Sequence, residues 1–252
     1  MLHKMKLKRE PFEKILSGRK TIELRLNDEK RQQVQVGDYI EFASIDDSRE
    51  KLTAVVTSLH HFENFQELYA SLPKEKMGYD KDDVVNPDHM DEYYSREEQE
   101  KYGVVGIELR LTDLQKFIDA QENGYMLCSD YKTALEEIRN GRKATHWIWY
   151  IFPQIKGLGR SETTSKFAIK DKGEAVDYLS HPVLGARLKE ILQVLLELET
   201  DDLMTVLDRT DALKLRSSMT LFMVAAPYED IFQRVIDKYC MGMPDSSTLE
   251  KI

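Results

Sequence analysis

Gly18-Arg19-Lys20-Thr21-Ile22-Glu23-Leu24-Arg25-Leu26 is the stretch on which the reading of this chain turns. From Thr21 to Leu26 apolar and polar residues alternate, the period of a β-strand with one face against a core. Ile22, Leu24 and Leu26 therefore point inward, while Thr21, Glu23 and Arg25 point the other way. Lys20 stands just before the strand, so three cations and one carboxylate fall within a single turn and strand. If that outer face lines a barrel mouth, Glu23 and Arg25 are held side by side, and the planar guanidinium offers forked donors to a phosphate or a base edge. The alternative is a solvated strand face whose ion pair contributes about 0 to 1 kcal/mol.

Further strand-like runs surround it: Met5 to Leu7, Asp38 to Ala43, Leu52 to His60 and Val104 to Leu111. Gly37 marks the turn before the second of these, and one early helix is expected from Glu10 to Leu16. Short strands with few helices predict a small mixed β-barrel. Past Asp113 the period becomes helical. Leu114, Phe117 and Ile118 open one amphipathic helix, Tyr131, Leu135 and Ile138 another, and Leu184 to Leu196 carries a wide apolar face. Helices are also expected around Asp211 to Ala225 and Asp230 to Cys240. The fold class is therefore α+β: a mixed barrel with flanking helices over residues 1–112, then an all-α helical bundle over 113–252.

The 252 residues hold 36 Lys+Arg against 45 Asp+Glu, a formal net charge of -9, which excludes a generally basic nucleic-acid coat. Charge is unevenly placed. Residues 1–31 contain 10 Lys+Arg and 5 Asp+Glu, a local +5, and residues 63–100 contain 4 and 12, a local -8. The acidic stretch reads as a solvated insertion or a mobile flap, because it lacks the glycine and spacing of a calcium hand. Cys128 and Cys240 form no CxxC spacing, so reduced thiols are expected and neither a disulfide framework nor a structural zinc site. No metal and no cofactor are expected. No run is long enough for a membrane helix and the start has no signal-peptide core, so a cytoplasmic protein without membrane partners is expected.

A second constellation lies at Thr145-His146-Trp147-Ile148-Trp149-Tyr150-Ile151-Phe152-Pro153-Gln154-Ile155-Lys156-Gly157-Leu158-Gly159-Arg160-Ser161, which holds both tryptophans of the chain. Residues 146–152 are too apolar and too rich in rings to sit in water, so a buried helix or aromatic slab is expected. Gly157, Gly159, Arg160 and Ser161 have the parts of an anion-holding loop, although a lone GxG is weak evidence. His146 and Gln154 flank the run as candidate polar contacts, and Trp149 is a candidate stacking surface. His181 and Arg187 are further polar residues of interest, with helix capping as the plainer reading of His181-Pro182.

Pro11-Phe12-Glu13, Gly18 to Arg25 and Val36-Gly37-Asp38-Tyr39-Ile40-Glu41-Phe42, closed by Tyr94 to Ile107, resemble the ASCH domain of the PUA-like superfamily over about residues 1–111. The resemblance implies a barrel with a cleft for RNA or a nucleotide-like ligand. Some members hydrolyse an acylated cytidine, with a lysine activating a threonine three residues on. Lys20 stands at that lysine position, and Glu23 stands at the threonine position, where no hydroxyl nucleophile is available. The run from Thr145 to Ser161, with Ala134 to Lys143 before it and Glu174 to Leu188 after it, resembles the family called domain of unknown function 1810 over about residues 114–250. That resemblance implies an all-helical fold and does not point to a reaction.

The leading expectation is binding of RNA, a nucleotide or a modified nucleoside by the N-terminal barrel, with Lys20 and Glu23 as candidate catalytic residues and Arg19 and Arg25 as ligand contacts. In the second half His146, Trp149, Gln154, Gly157, Gly159 and Ser161 are the candidate ligand contacts. An acidic chain with one basic patch suits a small anion or a few exposed nucleotides and not long duplex DNA. A hydrolase acting on an acylated nucleoside, a nucleotide or RNA is one alternative, and a protein–protein interaction module is another. Oligomeric state is left open.

Overall fold

The computed structural model describes all 252 residues. Contacts divide them into two units, Met1–Thr112 and Asp113–Ile252. The first unit runs β1 (Leu2–Leu7), α1 (Arg9–Leu16), β2 (Ile22–Leu26), β3 (Tyr39–Ser44), β4 (Lys51–Phe62), α2 (Phe65–Ser71), α3 (Arg96–Tyr102) and β5 (Val104–Thr112). Its five strands form one curled half-barrel sheet in the order β1-β3-β4-β5-β2. β1 pairs parallel with β3, and every other neighbour is antiparallel. The expected barrel is thus a sheet with two edges, β1 and β2. Arg25 joins them, its Nη2 donating to the Lys6 carbonyl at 2.9 Å.

Alternation in β2 has the predicted sense. Ile22, Leu24 and Leu26 enter an apolar cluster with Phe65, Leu68 and Met77. The remaining strands and α1 enclose a second cluster that includes Met5, Leu7, Phe12, Ile40, Phe42 and Ile107. Within residues 63–100 the segment 80–98, which holds Asp80, Asp82, Asp83, Asp88, Asp91 and Glu92, is exposed or half-buried throughout, as a solvated insertion would be, whereas the start of the stretch is folded in. Phe65 and Leu68 of α2 are fully buried, Asn64 caps α2, and a reciprocal Ser95–Glu98 capping box starts α3. Short 3₁₀ turns at Lys74–Lys76 and Pro87–Glu92 carry the chain between them. Phe65 is buried, Tyr69, Tyr79 and Tyr94 are half-buried and Tyr93 is exposed, which a count of acids does not show.

The second unit is helical: α4 (Gln115–Asn123), α5 (Tyr131–Arg139), α6 (Ile148–Ile151), α7 (Glu162–Lys166), α8 (Lys172–Ser180), α9 (Leu184–Glu197), α10 (Leu203–Val206), α11 (Arg209–Ala225), α12 (Ile231–Tyr239) and α13 (Ser246–Leu249). The tryptophan-rich run has only the single helical turn of α6. Around it Trp147, Tyr150 and Phe152 are wholly buried, so the slab reading describes it better than a full helix. Tyr150 meets Phe167, and Phe167, Phe117, Tyr178, Phe222 and Phe232 follow in series with centroids 5.2 to 5.9 Å apart. Glu137 pins the slab's start by accepting from the amides of Ala144 and Thr145, the Thr145 hydroxyl and Trp147 Nε1. Cys128 and Cys240 are free thiols. No helix is long and apolar enough to cross a membrane.

α8 and α9 meet at a tight corner. A Cβ on Gly185 would lie 2.0 Å from the Leu179 carbonyl oxygen, a backbone atom that cannot step aside. Gly185→Ala is therefore expected to destabilise the helical unit by about 3 kcal/mol, read as a lower urea midpoint in tryptophan fluorescence. A midpoint equal to wild type would contradict this packing.

Candidate functional site

A cavity of about 340 Å³ opens in the first unit at the seam between β1 and β2. One side is formed by Lys6, Leu7 and Lys8, another by Lys20, Glu23 and Arg25, and the third by Tyr69, Tyr79, Met90, Tyr93 and Tyr94 from the acidic stretch. The structure brings Lys20, Glu23 and Arg25 together. Lys20 Nζ lies 3.4 Å from Glu23 Oε2, and Arg25 Nε lies 2.9 Å from Glu23 Oε1. Their side chains are 9%, 7% and 13% exposed, so the face opposite Ile22 and Leu24 is enclosed and not a solvated strand surface.

Lys20 is positioned by backbone on both sides. Its amide donates to the Lys14 carbonyl at 3.0 Å, it forms a β-bridge with Met77, and its ammonium donates to the Met77 carbonyl at 3.2 Å. The approach requires Gly78, which has φ +95°. A Cβ there would meet Lys14 Cδ at 3.1 Å and Lys20 Cβ at 3.2 Å. Burial works against the charge on Arg25, but Glu23 and Tyr94 beside it hold the guanidinium proton above its ordinary value. Burial and the 3.0 Å hydrogen bond between the Tyr69 and Tyr79 hydroxyls push Tyr69 well above the usual phenol range, so it stays neutral. The Arg25 Nε–H has no aligned hydrogen-bond acceptor despite its nearness to Glu23. The cavity therefore offers donors from Lys20 and Arg25, the Glu23 carboxylate already facing both, a second carboxylate on Glu10 that pairs with Lys14 at 2.7 Å, and tyrosine rings.

Arg19 does not line this cavity. It is exposed, with Nε donating to Ser17 Oγ at 3.3 Å, because it lies on the turn and not on the enclosed strand face. The tyrosines and Met90 were not legible as site residues from their immediate neighbours. A signal was present all the same: five of the chain's 12 tyrosines (Tyr69, Tyr79, Tyr93, Tyr94 and Tyr102) occur in a stretch otherwise dominated by charge.

Ser161, Gly157 and Gly159 of the second unit serve local structure. Ser161 caps α7, its oxygen accepting from the Thr164 amide at 3.1 Å and lying 2.8 Å from Thr164 Oγ1. Gly159 packs so closely that a Cβ would fall 2.2 Å from Thr164 Cγ2, and Gly157 turns with φ +94° beside Lys251. The expected anion-holding loop is thus a capped turn whose hydroxyl is engaged by its own chain. Gln154 is half-buried and its carbonyl accepts from the Ile169 amide at 2.9 Å. His146 is exposed, with its carbonyl taking the Ser129 amide at 3.0 Å. Trp149 is half-buried under the Lys214 ammonium, 4.7 Å from its centroid, and Lys214 in turn pairs with Asp211 at 2.8 Å. Arg187 covers the Tyr131 ring at 5.2 Å. His181 Nδ1 receives the amides of Val183 and Leu184 at 3.3 Å each, so it starts α9 as a cap. No group of His, Cys, Asp and Glu is arranged to hold a metal ion.

The model of a family described as a protein of unknown function, DUF1810, matches residues 111–252, and that of the ASCH domain matches residues 5–113. The crystal structure of the conserved hypothetical protein Rv1873 from Mycobacterium tuberculosis is similar at 36% identity, covering 55% of this chain and 94% of its own, with a TM-score of 0.52. Hypothetical protein PH0355 is 31% identical over 44% of this chain and 99% of its own, with a TM-score of 0.38. PF0455 from Pyrococcus furiosus is 31% identical over 44% of this chain and 97% of its own, with a TM-score of 0.34. No curated protein matches the chain.

Burial, and secondarily the charge of Arg187, lower the His181 pKa from 6.5 to about 4. The unfolded chain then binds the extra proton more readily than the folded one between those values. Stability is expected to fall as pH drops from 6.5 towards 4, by on the order of 3 kcal/mol from this group. Urea unfolding followed by tryptophan fluorescence checks it. His181→Asn, which keeps an acceptor but does not titrate, should flatten the profile in that window, and an unchanged profile would refute the assignment.

Proposed function

The chain belongs to the family of unknown function DUF1810 and carries an ASCH domain over residues 5–113; from that premise we propose that the seam cavity binds one nucleotide unit, free, modified or within RNA. The observation that carries the reading is the meeting of Lys20, Glu23 and Arg25 inside a tyrosine-walled cavity. Its volume lies at the small end of the range for small-molecule sites, about 300–1,000 Å³. The two cations supply donors for a phosphate or a carbonyl edge. Glu23 accepts from an amino or hydroxyl group, and a tyrosine face accommodates a base by stacking. The ASCH domain's PUA-like fold, often linked to RNA binding, agrees with this ligand class.

Hydrolysis is the second reading, favoured by the Lys20–Glu23 pair at 3.4 Å within the enclosed cavity. Glu23 would take a proton from water as the water attacks an acyl carbon, and Lys20 or Arg25 would stabilise the oxyanion. Binding is preferred because both Glu23 oxygens are already engaged by cations, Lys20 on one and Arg25 on the other.

Titration calorimetry of the full chain with nucleoside 5′-monophosphates is expected to show binding that Arg25→Ala weakens about tenfold or more, the loss of a charge-assisted hydrogen bond being about 1.5–3 kcal/mol. Chromatography of a panel of N-acylated nucleosides should show no product. Turnover that vanishes in both Lys20→Ala and Glu23→Ala would establish the hydrolase instead, and an absence of both binding and turnover would refute a nucleotide-directed cavity.

A further inference from the structure

We propose that the seam cavity is the end of a track for single-stranded polynucleotide running along the outer face of β1. The proposal rests on the nucleotide reading of the cavity and extends it from one unit to the adjoining backbone.

Burial alternates from His3 through Lys8, the residue that follows β1. His3, Met5 and Leu7 are buried, and Lys4, Lys6 and Lys8 are exposed. Alternate residues of a strand are spaced by about 6.6 Å on one face, so the backbones of Lys4, Lys6 and Lys8 span a row of about 13 Å. Lys6 and Lys8 end that row inside the cavity mouth. Lys30 joins it from the open side, its Nζ donating to the Lys4 carbonyl at 3.0 Å, and Arg25 does the same at the Lys6 carbonyl. Cations thus flank the free edge of β1 as well as its outer face.

At the mouth Tyr93 is 51% exposed. The Lys8 ammonium lies 4.4 Å from its ring centroid and donates to its hydroxyl at 3.0 Å. A basic row beside an exposed ring is the arrangement that holds unpaired strands, the cations following phosphates while the ring stacks a base. Lysines on an edge strand also discourage sheet-to-sheet pairing, but that role requires neither a cavity at the end of the row nor an open tyrosine beside it. Glu41 tempers the far end, 3.6 Å from Lys4 and 3.4 Å from Lys51, yet two cations against one carboxylate leave it positive. On the other side of Tyr93 stand Asp88, Asp91 and Glu92, and Arg96, 3.0 Å from Asp88 and 2.9 Å from Asp91, offsets only one of the three charges, so that side stays negative. The strand is therefore directed from the cavity towards Lys4. A duplex is disfavoured, since its bases are stacked and paired and none is free to enter the cavity.

The test uses the full chain. Fluorescence anisotropy with a fluorescein-labelled hexaribonucleotide pool of random sequence, and with its deoxy counterpart, is compared with calorimetry of mixed nucleoside 5′-monophosphates. The hexamer is expected to bind at least about tenfold tighter than the monophosphates, with a log–log salt slope near -2, about -0.7 for each of three phosphates. The double variant Lys4→Gln/Lys30→Gln, whose residues lie outside the cavity, should lose about tenfold on the hexamer and stay within about twofold on monophosphates. Lys4→Arg/Lys30→Arg should restore the hexamer. Equal affinity for the deoxy pool supports the track and removes any demand for the 2′-hydroxyl. Monophosphate binding with no gain for the hexamer, or a hexamer indifferent to the double glutamine variant, overturns the track and leaves the cavity reading standing. Binding of neither overturns both.

Discussion

The N-terminal unit depends on what happens where its sheet does not close. Five strands in the order β1-β3-β4-β5-β2 leave two outer edges, and backbone hydrogen bonds do not join them. Arg25 spans the gap: its Nη2 satisfies the Lys6 carbonyl on one edge while its own strand is the other. A guanidinium carried into so enclosed a place needs a counter-charge, because unpaired burial of an ion is costly. Glu23, two residues earlier on the same face, supplies it, and Lys20 meets the far oxygen of the same carboxylate. The closure of the fold and the furnishing of the cavity are therefore one arrangement of three side chains.

Much of this was legible in the order of residues. The period of two from Thr21 to Leu26 assigned Glu23 and Arg25 to a common face, and the change of period past Asp113 separated a strand-rich half from a helical one. What could not be read was whether that common face met water or protein. The answer came from a distant segment: the turn carrying Met77 and Gly78 takes hold of Lys20, and Tyr69, Tyr79 and Tyr94 cover the rest. Local pattern reports on a strand's own alternation and says nothing about what folds over it. Net charge was silent for the same reason, since the acids of residues 63–100 do not show that Tyr69, Tyr79 and Tyr94 line the cavity.

The helical unit shows the opposite balance. Its unusual string of rings and glycines suggested a ligand, and its contacts give several of these residues a structural task. Trp147 is locked by Glu137, Gly159 admits Thr164, and Ser161 starts a helix. Conspicuous residues are used here to hold irregular backbone between short helices, where packing leaves little room and amides need acceptors. A rare string in a sequence points to tight geometry as readily as to chemistry.

The side-chain bridge across the sheet has a mechanical corollary. A boundary sealed by two side chains, the Arg25 guanidinium and the Lys30 ammonium, and not by a ladder of amides is where thermal breathing of this unit should begin, as the fraying line of an otherwise continuous wall. Any molecule that grips both margins would suture that line. Slower deuterium uptake along β1 and β2 would then report occupancy from the scaffold itself, with no label on the guest.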